Sequence, residues 1–333
     1  MSILASEPIS PVHKWGRRDF VTGVLAALGA SALLPLQGFA GRSPFGKGGL
    51  ATGPVEGPVA GSSKVVPMGL DGLSIQQVID LILAEIPGAP FKQTVDTIKS
   101  GDPEQPVKGI VTTMFATDAV IAETIRLGAN FIIAHEPTFY NHLDETDWLT
   151  DDKVYRFKKD LLDKNKIVVW RFHDSWHSYR PDGILMGVLV SLGWEKYYDP
   201  AKPNVVNIPP ATLGDIIKSA KQGLGVEKVK VIGDLSQVCR RILLMPGAAG
   251  GRPQIQGIRE EGPDLLICGE LNEWETPEYV RDFRYQGGKT ALIDLGHSVS
   301  EEPGMDWLVS WLEPKVPGVK VTHIPSGDAF KFV

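Results

Sequence analysis

The sequence Phe131-Ile132-Ile133-Ala134-His135-Glu136-Pro137 joins a short apolar run to a histidine and a glutamate. Consecutive apolar residues that stop abruptly at polar ones are typical of a buried strand, and imidazole and carboxylate groups are common ligands of transition metals. A second stretch, residues 291–297, has the same form and ends in His297, with Glu301 four residues further on. Because open parallel sheets bind ligands at the carboxyl ends of their strands, the two stretches predict one metal site.

The elements around the opening stretch predict an α/β fold with parallel βαβ units. Residues 109–115 form a β-branched run, Thr117 or Asp118 can cap the helix that follows, and Gly128 can end it before the opening strand. A strand, a helix and a strand in this order make a right-handed parallel unit. The pattern repeats with a helix over 153–164 and a strand over 167–172, which leads into the block from His173 to His177.

The predicted order of elements divides the chain into two lobes. A first α/β lobe is expected over residues 69–198, beginning with a helix capped by Ser74. A second α/β segment is expected over 199–333, and its part 290–333 would return ligands to the metal site. A Pro- and Asn-rich stretch, residues 200–210, is the candidate boundary. Further predicted elements are a helix over 182–194, helices over 212–224, 276–285 and 304–312, and strands over 229–232, 242–245, 265–268, 290–295 and 319–324.

The N-terminus carries the pattern of an export signal. Arg17 and Arg18 precede an uncharged run, residues 21–40, which is rich in Ala, Leu and Gly and ends in a small-x-small triplet. The paired arginines resemble a twin-arginine signal. We therefore expect residues 1–40 to be a signal peptide for the twin-arginine translocation machinery, residues 41–68 to be a flexible Gly/Pro linker, and the mature protein to be periplasmic or otherwise exported. An uncleaved membrane anchor is the alternative.

The composition bounds the class of protein more than its function. The 333 residues are 43% hydrophobic and 22% charged, with a formal net charge of −6, which suits a globular protein of about two domains. The chain lacks a cluster of basic residues after the signal, so nucleic-acid binding is not expected. Cys239 and Cys268 are the only cysteines. They do not make a disulfide framework; one bond in an oxidising compartment and two buried free thiols remain the alternatives.

Four histidines follow predicted strand ends: His135, His173, His177 and His297. From these and their neighbours we select His135, Glu136, His177, His297 and Glu301 as metal ligands. Three imidazoles and two carboxylates are enough for two metal ions about 3.5–4 Å apart. Glu301 has a second interpretation, because a carboxylate in the first turn of a helix is favoured by the helix dipole alone.

Four motifs occur here in the order seen in one known family. Residues 134–137 stand where that family has His-His-Pro, and the block 173–177 stands where it has a histidine followed four residues later by an aspartate. Residues 267–270 match its Thr-Gly-Glu, and residues 296–301 match its Gly-His-x-x-Ser/Thr-Glu. In these motifs, over residues 70–333, the chain resembles the Nif-three-like dinuclear metal-centre proteins, some of which are called GTP cyclohydrolase type two.

The resemblance implies a two-lobed fold, a dinuclear metal site and a ring-like homo-oligomer, often a hexamer. The chain departs from the family at two ligand positions, because the second histidine of the first motif is Glu136 and the aspartate of the second is His177. Together the two changes exchange a histidine and a carboxylate and preserve the number of each. We therefore expect metal to be retained while metal preference or geometry differs.

A two-metal site without an organic redox cofactor points to hydrolysis, because the metals lower the pKa of a bound water and polarise the bond that is attacked. Glu270 and Asp174 are the candidate catalytic residues, as a base or as groups that orient a ligand imidazole. Glu270 could equally be a buried structural carboxylate. The glycine-rich residues 247–251 could bind an anion through their amides or form an ordinary turn.

The sequence thus predicts two divalent transition-metal ions, Zn, Fe or Mn, in a hydrolase that acts on a small-molecule substrate. A non-catalytic metal-binding or metal-trafficking protein is the alternative. Activity on GTP rests on the family name alone, and export would separate the protein from cytosolic GTP.

Overall fold

Two five-stranded mixed sheets with flanking helices make up the part of the chain that the computed structural model describes, residues 72–331. The predicted signal peptide and linker, residues 1–68, lie outside the described residues. Among the described residues, no helix is both long and apolar enough to cross a membrane. The α/β class predicted from the sequence is confirmed.

The first sheet contains the opening strand at its centre and has the order β1-β4-β3-β2-β10. Strands β2, β3, β4 and β10 are parallel, whereas β1 pairs antiparallel with β4. Its strands are β1 (Ile98–Ser100), β2 (Ile110–Thr113), β3 (Phe131–Ala134), β4 (Val168–Arg171) and β10 (Val321–His323). The last strand therefore comes from the C-terminal end of the described chain.

Within residues 72–331, five α-helices occur in the chain before the first strand of the second sheet. They are α1 (Ile75–Ala84), α2 (Asp118–Arg126), α3 (Lys153–Lys164), α4 (Asp174–Ser178) and α5 (Gly183–Leu192). The predicted caps are present. Ser74 and Gln77 form a capping box on α1, and the Thr117 side chain accepts a hydrogen bond from the Val120 amide at the start of α2. These caps fix where each helix begins.

The second sheet has the order β5-β7-β8-β9-β6, with a parallel centre and an antiparallel strand at each edge. Its strands are β5 (Val205–Thr212), β6 (Lys230–Ile232), β7 (Val238–Met245), β8 (Leu265–Cys268) and β9 (Ala291–Asp294), and the helices that accompany it are α6 (Leu213–Leu224), α7 (Gly251–Glu261), α8 (Thr276–Tyr285) and α9 (His297–Leu312). Helix α9 connects β9 of the second sheet with β10 of the first.

Both faces of each sheet are buried, which explains the continuous apolar runs of the strands. Along β3, Phe131 packs in the cluster that includes α1 and α9, whereas Ile132 packs in the cluster that includes α2 and α3. Along β8, Ile267 faces α5 and α6, and Leu266 faces α7 and α8. The alternation has the two-residue period of a strand.

Three parts of the second half differ from the sequence-based prediction. Strand β5 begins within residues 200–210, the candidate boundary, and it contains Pro209 and Pro210. A strand at the edge of a sheet tolerates prolines because one of its sides needs no ladder partner. Helix α7 was not predicted. Helix α9 begins at His297 rather than at residue 304, so Pro303 lies inside it.

Helices α5 and α9 lie backbone to backbone through two glycines. A Cβ atom built on Gly187 would lie 2.2 Å from the carbonyl oxygen of Pro303, and one built on Gly304 would lie 2.5 Å from the Cα atom of Ile184. The two helices are therefore in close contact at Gly187 and Gly304. This contact fixes the position of α9 and of the side chains at its N-terminus.

Candidate metal centre

The candidate site lies where the carboxyl ends of β3 and β4 meet the first turn of α9. His135 and Glu136 directly follow β3, and His173 lies two residues after the end of β4. Parallel strands end at the same edge of a sheet, which brings these residues together. Helix α9 then contributes His297 and, one turn later, Glu301. Residues that follow strands of the first sheet and residues of α9, which follows the second sheet, thus form one cluster.

His135 has the surroundings of a neutral metal ligand. Its side chain is fully buried, and its Nδ1 lies 3.1 Å from the carbonyl oxygen of Phe172. That carbonyl can only accept a hydrogen bond, so Nδ1 carries the proton. The Nε2 atom has no hydrogen-bond partner and lies 3.7 Å from an oxygen of Glu301. Burial, together with the nearby His177 and His173, lowers the pKa of His135 well below its usual value, and the unpartnered Nε2 fits a site built for a cation.

The other three imidazoles are oriented in the same way. Each has a carboxylate oxygen 2.9 Å from its Nδ1: the partners are Asp174 for His173, Asp182 for His177 and Glu270 for His297. Each Nε2 lies within 3.9 Å of an oxygen of Glu136 or Glu301. Carboxylate or carbonyl groups that hold Nδ1 and direct Nε2 inward are the usual surroundings of histidine ligands.

The two glutamates are almost entirely buried, with side-chain exposures of 9% for Glu136 and 4% for Glu301. His297 Nε2 lies 3.0 Å from Glu301 and 3.3 Å from Glu136. Burial opposes the charge on His297, but the hydrogen bonds and charges of the two glutamates prevail and raise its pKa to about 10. Burial also works to raise the pKa of Glu136, yet its contact with His297 and the nearby positive groups lower it.

These groups form two overlapping sets of three whose ligand atoms lie within 4.8 Å of one another. One set is His135, His173 and His177, and the other is His135, Glu136 and Glu301. The cluster is therefore able to hold metal ions. The five residues selected from the sequence, including His297, all lie in it.

His173 belongs to the cluster although the sequence-based selection left it out. Its spacing in the sequence could have indicated this. His173 occupies the N-cap position of α4 and His177 lies four residues later on that helix, so the two side chains can reach one point. Their ring centroids are 4.9 Å apart, and the ring of His173 is stacked on that of His135 at 4.7 Å.

Arg171 is the second residue that the sequence did not reveal. It ends β4 with a fully buried guanidinium group, whose Nη2 donates to Glu136 Oε2 at 2.9 Å. A buried charge requires partners of this kind. Apart from its place at the end of an apolar strand, nothing in the sequence marks it.

The two candidate catalytic carboxylates differ in exposure and in their partners. The side chain of Glu270 is 59% exposed, and its carboxylate lies 2.9 Å from His297 Nδ1. It is therefore not the buried structural carboxylate that was the alternative. Asp174 accepts hydrogen bonds from the Thr94 hydroxyl and the Val95 amide, and it contacts His173. Burial works to raise the pKa of Asp174, but these contacts prevail and lower it. Both carboxylates orient an imidazole of the cluster.

The glycine-rich residues 247–251 support the cluster instead of forming an isolated turn. The Gly247 amide donates to Ser300 Oγ, and a Cβ atom at Gly247 would lie 1.9 Å from Glu301 Oε1. The amide of Gly251, the first residue of α7, donates to the carboxylate of Glu275. Two of the amides that could have bound an anion thus already have protein partners.

The sequence of the chain matches the model of a known family. Its model, described as Duf34/NIF3 (NGG1p interacting factor 3), matches residues 93–328, and the chain belongs to this family. A Clostridium perfringens protein named "GTP cyclohydrolase 1 type 2 homolog" is 29% identical over 205 residues, which cover 58% of this chain and 73% of that protein. An Escherichia coli K12 protein of the same name is 26% identical over 207 residues, covering 61% of this chain and 78% of that protein.

Solved structures show the same fold. A Staphylococcus aureus hypothetical protein has a TM-score of 0.63 at 17% identity, covering 79% of this chain and 100% of that one. A Bacillus cereus protein related to NIF3 has a TM-score of 0.62 at 17% identity, covering 79% and 99%. The Nif-three-like α/β fold expected from the sequence motifs is thereby confirmed.

Proposed function

We propose that the protein holds two divalent transition-metal ions, Zn, Fe or Mn, and hydrolyses a small-molecule substrate. One observation carries this proposal: four imidazoles have their Nδ1 atoms held by oxygen acceptors while their Nε2 atoms surround two buried glutamates. The residues that would hold the metals are His135, Glu136, His173, His177, His297 and Glu301. Bound there, the metals would supply an activated water and polarise the bond to be broken.

The exposed carboxylate of Glu270 is suited to handle a proton at the mouth of the site. It is open to solvent and lies 2.9 Å from His297, so it can accept a proton from an attacking water that the cluster positions. Asp174 has three partners, which leave its carboxylate fixed. We therefore assign Asp174 to positioning His173 and Glu270 to proton transfer.

The openness of the cluster favours hydrolysis over metal transport. The side chains of His173 and His297 are 21% and 23% exposed, so one side of the site is accessible to a substrate. A carrier that saturated its metals with protein ligands would not need this access. Non-catalytic metal binding or trafficking remains the second candidate, and it predicts full metal content without turnover.

Metal analysis of the purified protein tests the first half of the proposal. We expect close to two metal ions per chain after reconstitution and a clear loss in His297→Ala. The matched control is His323→Gln, because His323 contacts Glu302 and Thr112 outside the cluster. Fewer than about one metal per chain, unchanged in His297→Ala, would refute metal binding at this site.

A substrate screen tests the second half. The metal-loaded protein is assayed on phosphoesters, lactones, cyclic amides and GTP, the last because two relatives are named for GTP cyclohydrolase. Glu270→Gln should keep its metal and lose roughly 10²–10⁴-fold in rate. Activity that survives the combined change His135→Ala and Glu301→Ala would place catalysis elsewhere. Absence of turnover with stoichiometric release of metal to an acceptor would favour trafficking.

We further propose that the protein is exported by the twin-arginine machinery and assembles into a homo-oligomer. The first proposal is supported by Arg17, Arg18 and the uncharged run that follows them, and the second by family resemblance. Cell fractionation of the wild type and of a variant with Arg17→Lys and Arg18→Lys tests export, and sedimentation of the purified protein tests assembly. A cytosolic wild type or a monomer would contradict the respective proposal.

A further inference from the structure

Arg171 contacts both residues of the His135-Glu136 pair. Its Nε donates to the carbonyl oxygen of His135 at 3.1 Å, and its Nη2 donates to Glu136 Oε2 at 2.9 Å. The guanidinium is rigid and planar, so two such bonds fix the peptide and the side chain together. Arg171 therefore determines how this pair is presented at the cluster.

The contact divides the two oxygens of Glu136 between different tasks. Oε2 is held by Arg171, whereas Oε1 lies 3.3 Å from His297 Nε2 and 3.7 Å from His173 Nε2. Only Oε1 therefore faces the imidazoles. A glutamate free of Arg171 could turn both oxygens toward a cation, as carboxylates do in flexible metal sites.

The same arginine belongs to a buried chain of alternating charges. On its other side, Nη1 donates to the carbonyl oxygen of His142 and lies 3.8 Å from Asp144 Oδ2. Asp144 in turn lies 3.2 Å from Lys99 Nζ, with both side chains almost entirely buried. Two cations and two carboxylates thus balance, so the charge of Glu136 is already compensated before any metal is present.

We propose that Glu136 and Arg171 act together as one electrically neutral ligand, in which the guanidinium holds Oε2 and leaves only Oε1 for a metal ion. This inference rests on the proposed metal binding and assigns Arg171 as a positioning residue.

Cobalt substitution tests the claim about ligand atoms. The visible absorption of Co²⁺ weakens as the number of ligand atoms rises, so it reports coordination and not turnover. In Arg171→Met the freed Glu136 can bind through both oxygens, and we expect weaker absorption per bound cobalt than in the wild type. Arg171→Lys, which keeps the charge but lacks the fork, should change the spectrum in the same direction and replaces the Met variant if that one does not fold.

The matched control is Arg241→Met. Arg241 also pairs with a glutamate, Glu261, and also donates to a backbone carbonyl, but it joins β7 to the end of α7 away from the cluster. Its loss should leave the cobalt spectrum unchanged. A spectrum identical in the wild type, Arg171→Met and Arg171→Lys would overturn the inference about Arg171 alone, whereas a wild type that binds no cobalt would overturn the metal proposal itself.

A double-mutant cycle on the metal-free protein tests charge compensation. Arg171→Met leaves the buried Glu136 carboxylate with His297 but without the guanidinium, and Glu136→His leaves the buried guanidinium with only the more distant carboxylate of Asp144; each should lower Tm on the order of 10 °C. The double variant removes both charges of the pair and should recover most of that loss. Additive losses in the double variant would show that the two side chains do not act as a unit.

Discussion

Gly247 places the backbone of the loop after β7 directly against a candidate metal ligand. Its φ of +69° lies in the left-handed region, and a Cβ atom there would lie 1.9 Å from Glu301 Oε1. A glycine meets both requirements, because it has no Cβ and adopts positive φ without cost. The backbone at Gly247 thus packs against the Glu301 carboxylate and restricts its position.

We predict that Gly247→Ala displaces the Glu301 carboxylate and weakens metal binding roughly 10–100-fold, the range found when groups that support metal ligands are changed. The control is Gly225→Ala, which has nearly the same φ, +67°, but no atom within 4 Å of the added Cβ. Both variants should lose about 1 kcal/mol from the strained backbone. Calorimetric titration with Zn²⁺ separates them, and equal affinities would contradict the contact.

At the level of single residues, the sequence pattern identified the candidate ligands that follow apolar strands. His135, Glu136 and His297 stand at such ends, so their meeting point followed from the geometry of parallel sheets. Arg171 and Asp182 were not foreseen, because their roles depend on which side chain each one faces. A buried arginine looks in the sequence like any charged residue at the end of a strand.

Among the elements, α9 connects the packing of the fold with the cluster. It begins with His297 and carries Glu301 one turn later, and its backbone approaches α5 at Gly187. Any displacement of α9 from α5 would move both candidate ligands relative to His135, which directly follows β3.

We predict that Gly187→Ala pushes α9 away from α5, because the new Cβ would lie 2.2 Å from the Pro303 carbonyl oxygen. Overpacking of this kind typically costs about 1–3 kcal/mol, and metal affinity should fall with stability. Gly257→Ala on α7 is the control: its Cβ meets only the end of the Leu243 side chain, which can move. Urea unfolding and zinc titration measure both effects; equal behaviour of the two variants would contradict this role of α5.

Strands β7 and β8 carry the two cysteines, and both thiols are free and buried. Burial, reinforced by Asp294 at Cys268 and by Asp264 at Cys239, raises the pKa of each thiol. Since the thiolate is the reactive form, we predict that neither thiol reacts with a disulfide reagent in the folded protein at pH 8. Both should react after denaturation in guanidinium, and rapid labelling of the native protein would disprove their burial.

Element boundaries were predictable where capping residues were present and unpredictable elsewhere. Ser74 and Thr117 cap α1 and α2 by the expected hydrogen bonds. Helix α7 could not be predicted because its N-cap residue, Gly250, provides no side-chain hydrogen bond and Pro253 lies in its first turn. Pro303 likewise made the start of α9 unpredictable, because a proline is unusual inside a helix. In both helices tertiary packing overrides weak local preference.

At the scale of the whole molecule, the chain crosses from one sheet to the other twice. The strands of the first sheet come mainly from residues 98–171, but β10 joins it from residues 321–323 after the second sheet is complete. The motifs predicted that ligands from both ends of the chain would meet. They did not predict that the connecting helix would pack against α5, because sequence patterns do not specify which helix faces contact each other.

The two-sheet arrangement has a consequence for stability. His135 and Glu136 directly follow a strand of the first sheet, whereas His297 and Glu301 lie on the helix that follows the last strand of the second sheet along the chain. A metal bound to both groups would be held only by the folded chain, so binding should add directly to the free energy of unfolding.

We therefore predict that removal of metal lowers Tm. A free metal concentration one thousand times Kd corresponds to about 4 kcal/mol, which is roughly 10 °C for a domain of this size. Melting curves with added Zn²⁺ and with chelator measure the difference, and the His135→Ala, Glu301→Ala double variant should melt at one temperature in both. If chelator lowers the Tm of that variant as much as it lowers the Tm of the wild type, the stabilising metal binds outside the cluster. If chelator leaves the Tm of the variant unchanged, metal binding at these side chains stabilises both sheets.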